Sequence, residues 1–115
     1  ERKQFDRVIA SFQAVSHRAA DCFINLECLR LVNQQAAINL NSNLDCENDA
    51  LVAKIWASNA AHKISYSAQH LHGGIGADKD YLLWRYCLLA KECELINGSS
   101  SQNIERLGVN ITSNQ

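Results

Sequence analysis

A chain of 115 residues, 47% apolar and 20% charged, has the makeup of a folded domain rather than a disordered segment. A formal net charge of −1 argues against broad electrostatic binding to nucleic acid or to an anionic membrane surface. No apolar run reaches bilayer-spanning length, and Glu1-Arg2-Lys3 leads into no apolar signal region, so the expected location is cytoplasmic.

Residues 1–10 are short, charged and mixed, and the chain does not start with Met, which fits a segment of a longer protein. Ser11 is the expected N-cap of a helix from Phe12 to about Leu40. Phe12, Val15, Ala19, Cys22, Leu26 and Leu29 fall at steps of three and four and make its predicted inner face, with Arg18, Asp21, Asn25 and Arg30 mostly off it. Asn41-Ser42-Asn43-Leu44-Asp45 reads as a polar loop. A second helix should begin between Asp45 and Asn48 and run to His72, with Leu51, Ile55, Ile64, Ala68 and Leu71 on its stripe and alanines allowing close contact.

Three of the five glycines then fall inside Gly73-Gly74-Ile75-Gly76. A helix stopping there leaves bare amides that suit an anion, although a C-cap and turn is the simpler role for such glycines. A third helix is expected over Tyr81 to Leu95, with Asp80 as its cap and Trp84, Leu88 and Leu95 facing inward. Asn97-Gly98-Ser99-Ser100-Ser101 breaks it, a short helix from about Gln102 to Leu107 follows, and Thr112 to Gln115 should be a loose tail. With no proline and no convincing period-two strand, the predicted fold is all-α. It is an antiparallel, up-down, four-helix-bundle-like domain spanning 1–115.

Cys22, Cys28, Cys46, Cys87 and Cys93 are odd in number and form no C-x-x-C pair, which fits reduced thiols. The histidines make no H-x-x-x-H pair, so no metal site is expected. Asn97-Gly98-Ser99 and Asn110-Ile111-Thr112 would be glycosylation triplets only in a secreted protein.

Four motifs stand in one order and spacing: Arg2-Lys3-Gln4-Phe5, Phe12-Gln13-Ala14-Val15, Leu71-His72-Gly73-Gly74-Ile75-Gly76, and Asn97-Gly98-Ser99. In this the chain resembles, over nearly its whole length, the C-terminal helical domain of the acyl-CoA dehydrogenases. Ile104-Glu105-Arg106-Leu107-Gly108 is similar to actinobacterial-type members, some of which act on steroid side chains. The resemblance implies a domain that builds a dimer or tetramer and contacts FAD, partly the FAD of a neighbouring subunit. It also implies an acyl-CoA substrate and an electron-accepting flavoprotein partner, with no nucleic acid involved. The family's N-terminal helical and middle β domains would lie outside these residues.

Carried over position by position, the resemblance implies that Arg2 contacts the cofactor, with Gln4 and Phe5 beside it. A guanidinium fork suits a diphosphate, while an exposed charge on a frayed end is the competing role. Phe12 and Gln13 match another FAD-contacting pair, and core packing is the alternative for Phe12. His70, Gly73 and Gly74 match the segment along the neighbour's FAD, with His70 where the family usually has glutamine. Ser99 and Ser101 match positions on the adenosine side, with helix capping as their other role. Val8 and Leu82 stand where two prolines are common.

The family's chemistry needs a carboxylate to remove the thioester's α-proton. Where many members place it, just before Gly98, this chain has Asn97, and some members carry it on an earlier helix, upstream of Glu1. Glu92 and Glu94 read as solvated helix charges, so no catalytic residue is assigned. The alternatives to an enzyme domain are a non-catalytic helical scaffold, or a silent subunit of a mixed oligomer whose partner supplies the base.

Overall fold

In the computed structural model, which describes residues 2–113, a small β-hairpin opens the chain. β1 (Lys3–Gln4) pairs antiparallel with β2 (Arg7–Val8), Lys3 opposite Val8 and Gln4 opposite Arg7. The turn residues Phe5 and Asp6 both have positive φ, 53° and 59°. That is the backbone of a type I′ hairpin, whose twist matches its strands and which usually carries Asn-Gly. Phenylalanine there costs about 1 kcal/mol, and Phe5 stands 87% exposed at the tip. The absence of any expected strand is thus corrected on a small scale, since two residues per strand are too few to show alternation.

A 3-10 turn (Ile9–Ser11) leads into α1 (Gln13–Asn41). Ser11 does not cap it: its hydroxyl donates to the Val8 carbonyl at 2.7 Å, and Phe12 takes the N-cap position without a side-chain bond. The end of α1 has Asn43 in the left-handed region (φ 54°), with Leu44 N–H donating to the Asn39 carbonyl and Asn43 N–H to that of Leu40. This pairing satisfies the last carbonyls as a Schellman motif. Asn39 Nδ2 also donates to Asp49 Oδ2 at 2.6 Å, tying the end of α1 to the start of α2 (Glu47–His72).

The two long helices are therefore antiparallel. The half-buried row of α1 is Val15, Arg18, Cys22, Asn25, Leu29, Val32, Ala36 and Asn39, a seven-residue repeat suited to a helix seam. Arg18 and Asn25 were expected off the stripe and lie on it, whereas Ala19 and Leu26 face outward. Apolar residues occur all round α1, so periodicity alone does not single out the covered side.

α2 is the hub, touching every other helix. Its Leu51, Ile55, Ile64, Ala68 and Leu71 are half-buried as expected. After the 3-10 turn Gly73–Ala77, α3 (Leu83–Leu95) returns along the second half of α2, with Cys87 Sγ 3.8 Å from the Ser65 carbonyl. α4 (Ser100–Ser113) continues along the first turns, where Asn110 Nδ2 donates to Asn48 Oδ1 at 3.2 Å. It is longer at both ends than its composition suggested, and it takes in Thr112 and Ser113 of the supposed loose tail, whose last two positions lie outside the described residues. Asp80 does not cap α3, whose N-cap is Leu82; Asp80 N–H instead donates to Asp78 Oδ1.

Little of the chain is fully covered. Ala53 and Ala60 are the buried apolar residues, both on α2. Leu88 and Leu95, expected to face inward, are 59% and 58% exposed. The side of α3 that meets α2 carries Leu83, Cys87 and Ala90 against Ala57, Ala61, Ser65 and Ala68, so small residues bring the helices close and the large leucines turn outward. The surface is 8612 Å² for 12.8 kDa, against about 6300 Å² for a self-contained globule of that mass. The radius of gyration, 17.7 Å, compares with about 13 Å for a compact chain of this length. All five cysteines are free thiols, four of them half-buried.

Candidate functional site

Because α1 and α2 are antiparallel, the start of one and the end of the other share one end of the domain. Arg2, Gln4, Phe12 and Gln13 therefore gather at the end that also holds His70, Gly73 and Gly74. Phe12 is half-buried and the other six are exposed. Ser99 and Ser101 are elsewhere. The last carbonyls of α3 meet Lys54 and Ser58, and Ser58 precedes Gly73 by fifteen residues on a helix, about 22 Å.

The glycines of the corner have distinct reasons to be glycine. Gly73 ends α2 with φ 62°, a conformation that side chains disfavour. Gly76 is buried, and a Cβ there would lie 2.7 Å from the Gln69 carbonyl oxygen. Gly76 was not among the sequence candidates, yet the fold demands glycine there by close packing, as it does at Gly73 by backbone angle. Gly74 has neither constraint: its φ is not positive, and no atom lies within 4 Å of an added Cβ. Beside it, His72 Nδ1 sits 2.7 Å from the Ala68 carbonyl and its ring lies against Tyr81. His72 thus bonds a carbonyl in the last turn of α2. His70 is exposed, its ring stacked on Tyr66 at 6.4 Å.

The joint between α3 and α4 is built by Lys54, Ser58 and Asn103, which no sequence motif singled out, together with Ser99 in its alternative capping role. Lys54 Nζ donates to the carbonyls of Cys93 (2.8 Å) and Glu94 (3.0 Å), and Ser58 Oγ, 1% exposed, donates to that of Glu94 (3.0 Å). A cation from α2 thereby caps the C-terminus of α3. Asn97 follows in the left-handed region (φ 60°), which asparagine tolerates, and Gly98 has φ 94°. Ser99 and Gln102 form a capping box: Ser99 N–H donates to Gln102 Oε1 at 2.9 Å, and Gln102 N–H reaches Ser99 Oγ at 3.4 Å. Ser101 is exposed on the first turn of α4. Asn103, 2% exposed, donates from Nδ2 to the carbonyls of Gly98 (3.0 Å) and Ser99 (2.8 Å), with that of Asn97 at 3.4 Å. The only sequence signal for these was a polar residue inside an apolar helix stretch, as with Lys54.

Glu94, expected as a solvated charge, is partly covered and paired. The Lys91 ammonium donates to its carboxylate at 2.6 Å and holds it below the usual carboxylate range, against partial desolvation, with His62 and Lys54 adding to the lowering. A carboxyl with a lowered folded-state pKa stabilises above its unfolded value and loses that contribution as pH falls through the folded one. Glu94→Gln should therefore lower the melting temperature slightly at pH 7, by the equivalent of about 1 kcal/mol or less for a surface pair. The gap between variant and parent should close in acid; an equal gap at pH 7 and in strong acid would contradict this linkage. Glu92 remains exposed.

Known proteins share this arrangement. The family model of the acyl-CoA dehydrogenase C-terminal domain matches residues 1–111. Acyl-CoA dehydrogenase FadE27 of Mycobacterium tuberculosis is 38% identical over 93% of this chain, which corresponds to 31% of FadE27. A chain in the crystal structure of the ChsE4-ChsE5 complex from the same organism superposes with a TM-score of 0.91 at 39% identity, covering 96% of this chain and 30% of that one. A chain of the Tcur3481-Tcur3483 steroid ACAD G363A variant gives 0.94 at 40% identity, covering 99% and 32%. The chain spans about a third of the length of the relatives it matches. With residues 1–111 matched and the helices superposing, this chain belongs to the acyl-CoA dehydrogenase family, as its C-terminal domain.

Proposed function

We propose that this chain, a single domain over 1–115, is the FAD-contacting and subunit-joining part of a cytoplasmic acyl-CoA dehydrogenase that oxidises the α,β bond of an acyl-CoA thioester. The observation that carries the reading is Gly74: nothing in the chain itself forbids a side chain there, yet it sits at the end shared with Arg2, Gln4 and Gln13. A glycine without an internal reason is well explained by an outside group approaching the backbone. The corner offers FAD open space over Gly73 and Gly74, with the exposed Arg2 at the same end of the domain, while the Gly73 N–H is already given to the His70 carbonyl.

FAD bound there supplies the acceptor for the hydride leaving the thioester's β-carbon. Arg2 would hold the diphosphate by a two-pronged, charge-assisted contact. Gln4, Gln13 and His70 would add neutral donors, Phe12 would fix the turn beneath, and Ser99 and Ser101 would serve the adenosine side. Their distance from the corner favours two copies sharing each cofactor. The uncovered leucines of α3 and the outer face of α1 supply apolar area for a dimer or tetramer. An electron-accepting flavoprotein completes the turnover.

Flavin absorbance of the protein purified from its complete reading frame tests this reading, and an oligomer without flavin would favour the scaffold instead. Arg2→Ala should weaken FAD retention roughly tenfold, the worth of a charge-assisted hydrogen bond, with helix content by circular dichroism unchanged. Equal cofactor affinity in both forms would remove the diphosphate role.

A second reading rests on Asn97. Its amide cannot accept the substrate's α-proton, so this chain would be the silent subunit of a mixed oligomer whose partner carries the base. The names of two structural relatives describe two-component assemblies, ChsE4-ChsE5 and Tcur3481-Tcur3483. Dehydrogenation that appears only on co-expression with a second acyl-CoA dehydrogenase chain would select this reading over the self-sufficient enzyme.

A further inference from the structure

Between the first half of α1 and the second half of α2 runs a groove of about 670 Å³, walled by His17, Arg18 and Asp21 on one side and His62, Lys63 and Tyr66 on the other. The chain as a whole carries −1, yet here Arg18, Lys63 and the His17 imidazole line the groove with a single carboxylate, Asp21, while His62 stands 3.6 Å from Glu94. The ion pairs among the described residues are Arg30–Glu27, His62–Glu94 and Lys91–Glu94, and none of them involves Arg18 or Lys63. Arg18 is half-buried on the α1 seam, and a guanidinium drawn out of water without a counter-charge favours an incoming anion.

We propose that this groove is an anion subsite that takes a phosphorylated small molecule, distinct from the glycine corner. Arg18 supplies a planar fork matched to two phosphate oxygens, and Lys63, from the facing helix, supplies a mobile point charge. Tyr66 offers a ring wall on which a planar base can stack, and Asp21 restricts the anion to the Arg18–Lys63 side. Arg18 lies five residues past Gln13 and Lys63 seven before His70, placing the groove about 8–10 Å along the helices from the corner. The proposal stands without the FAD reading, since it uses none of the residues assigned there.

Calorimetric titration of the complete protein as purified with inorganic pyrophosphate and with ADP at low salt tests it. Saturable binding is expected for both, weakened about tenfold by Lys63→Gln and by Arg18→Gln and unchanged by Arg2→Ala. Lys63 is exposed, so its substitution leaves the α1–α2 packing intact even if Arg18→Gln disturbs it. ADP binding much tighter than pyrophosphate identifies a nucleotide stacked on Tyr66, and equal affinities identify the phosphate group alone. No saturable binding, binding indifferent to the Lys63 change, or binding lost in Arg2→Ala overturns the proposal.

Discussion

Asn103→Ala is expected to destabilise the complete protein by about 2 kcal/mol, a drop in melting temperature of roughly 2–4 °C for a chain about three times this length. The side chain is 2% exposed and its amide reaches three consecutive backbone carbonyls, those of Asn97, Gly98 and Ser99. Truncation removes the donor and leaves a hole where the amide stood, so the loss combines unpaired carbonyls with a small cavity. Asn103→Asp should be worse than alanine at neutral pH, because a carboxylate would face those carbonyl oxygens without a proton to donate. Thermal denaturation of the three forms at pH 7 decides it. An Asp variant as stable as the parent would mean that the joint is not held by this amide. The local chain also has little room to adjust, since a Cβ on Gly98 would already meet Asn103 Nδ2 at 3.2 Å.

That residue also shows where the sequence ran out of information. The helices could be read from apolar spacing: α2 was expected to end at His72 and does, and the break after α3 follows from Asn97-Gly98. Periodicity gives the repeat of a face but not which of two apolar faces is covered, and so Leu88 and Leu95 were placed inward while Cys87 and Ala90 do the packing. Caps were misread for a related reason. Ser11 and Asp80 have the right chemistry for a helix start, but the Ser11 hydroxyl bonds the preceding turn, and before α3 it is the Asp78 carboxylate that accepts from the Asp80 N–H. Lys54, Ser58 and Asn103 act on backbone carbonyls remote in sequence or across a turn, and no local pattern announces such a bond. At the corner, three glycines looked equivalent in sequence; only the backbone angles and the surroundings of each Cβ separate Gly73, Gly74 and Gly76.

Gly74→Val should accordingly leave folding nearly untouched while abolishing flavin retention. The φ of Gly74 lies outside the left-handed region and its Cβ direction is open, so valine costs the isolated domain little beyond local rotamer restriction. Against a cofactor lying on the backbone, a branched side chain occupies the space of the ligand, and the penalty falls on binding alone. Gly76→Val is the opposing control: its Cβ would collide with the Gln69 carbonyl at 2.7 Å, an overpacking expected to cost about 1–3 kcal/mol whether or not flavin is present. Melting curves and the flavin-to-protein absorbance ratio, read together on both variants, separate the two effects. If Gly74→Val retains flavin and assembles as the parent does, the corner is a linker, and the cofactor must be sought away from it.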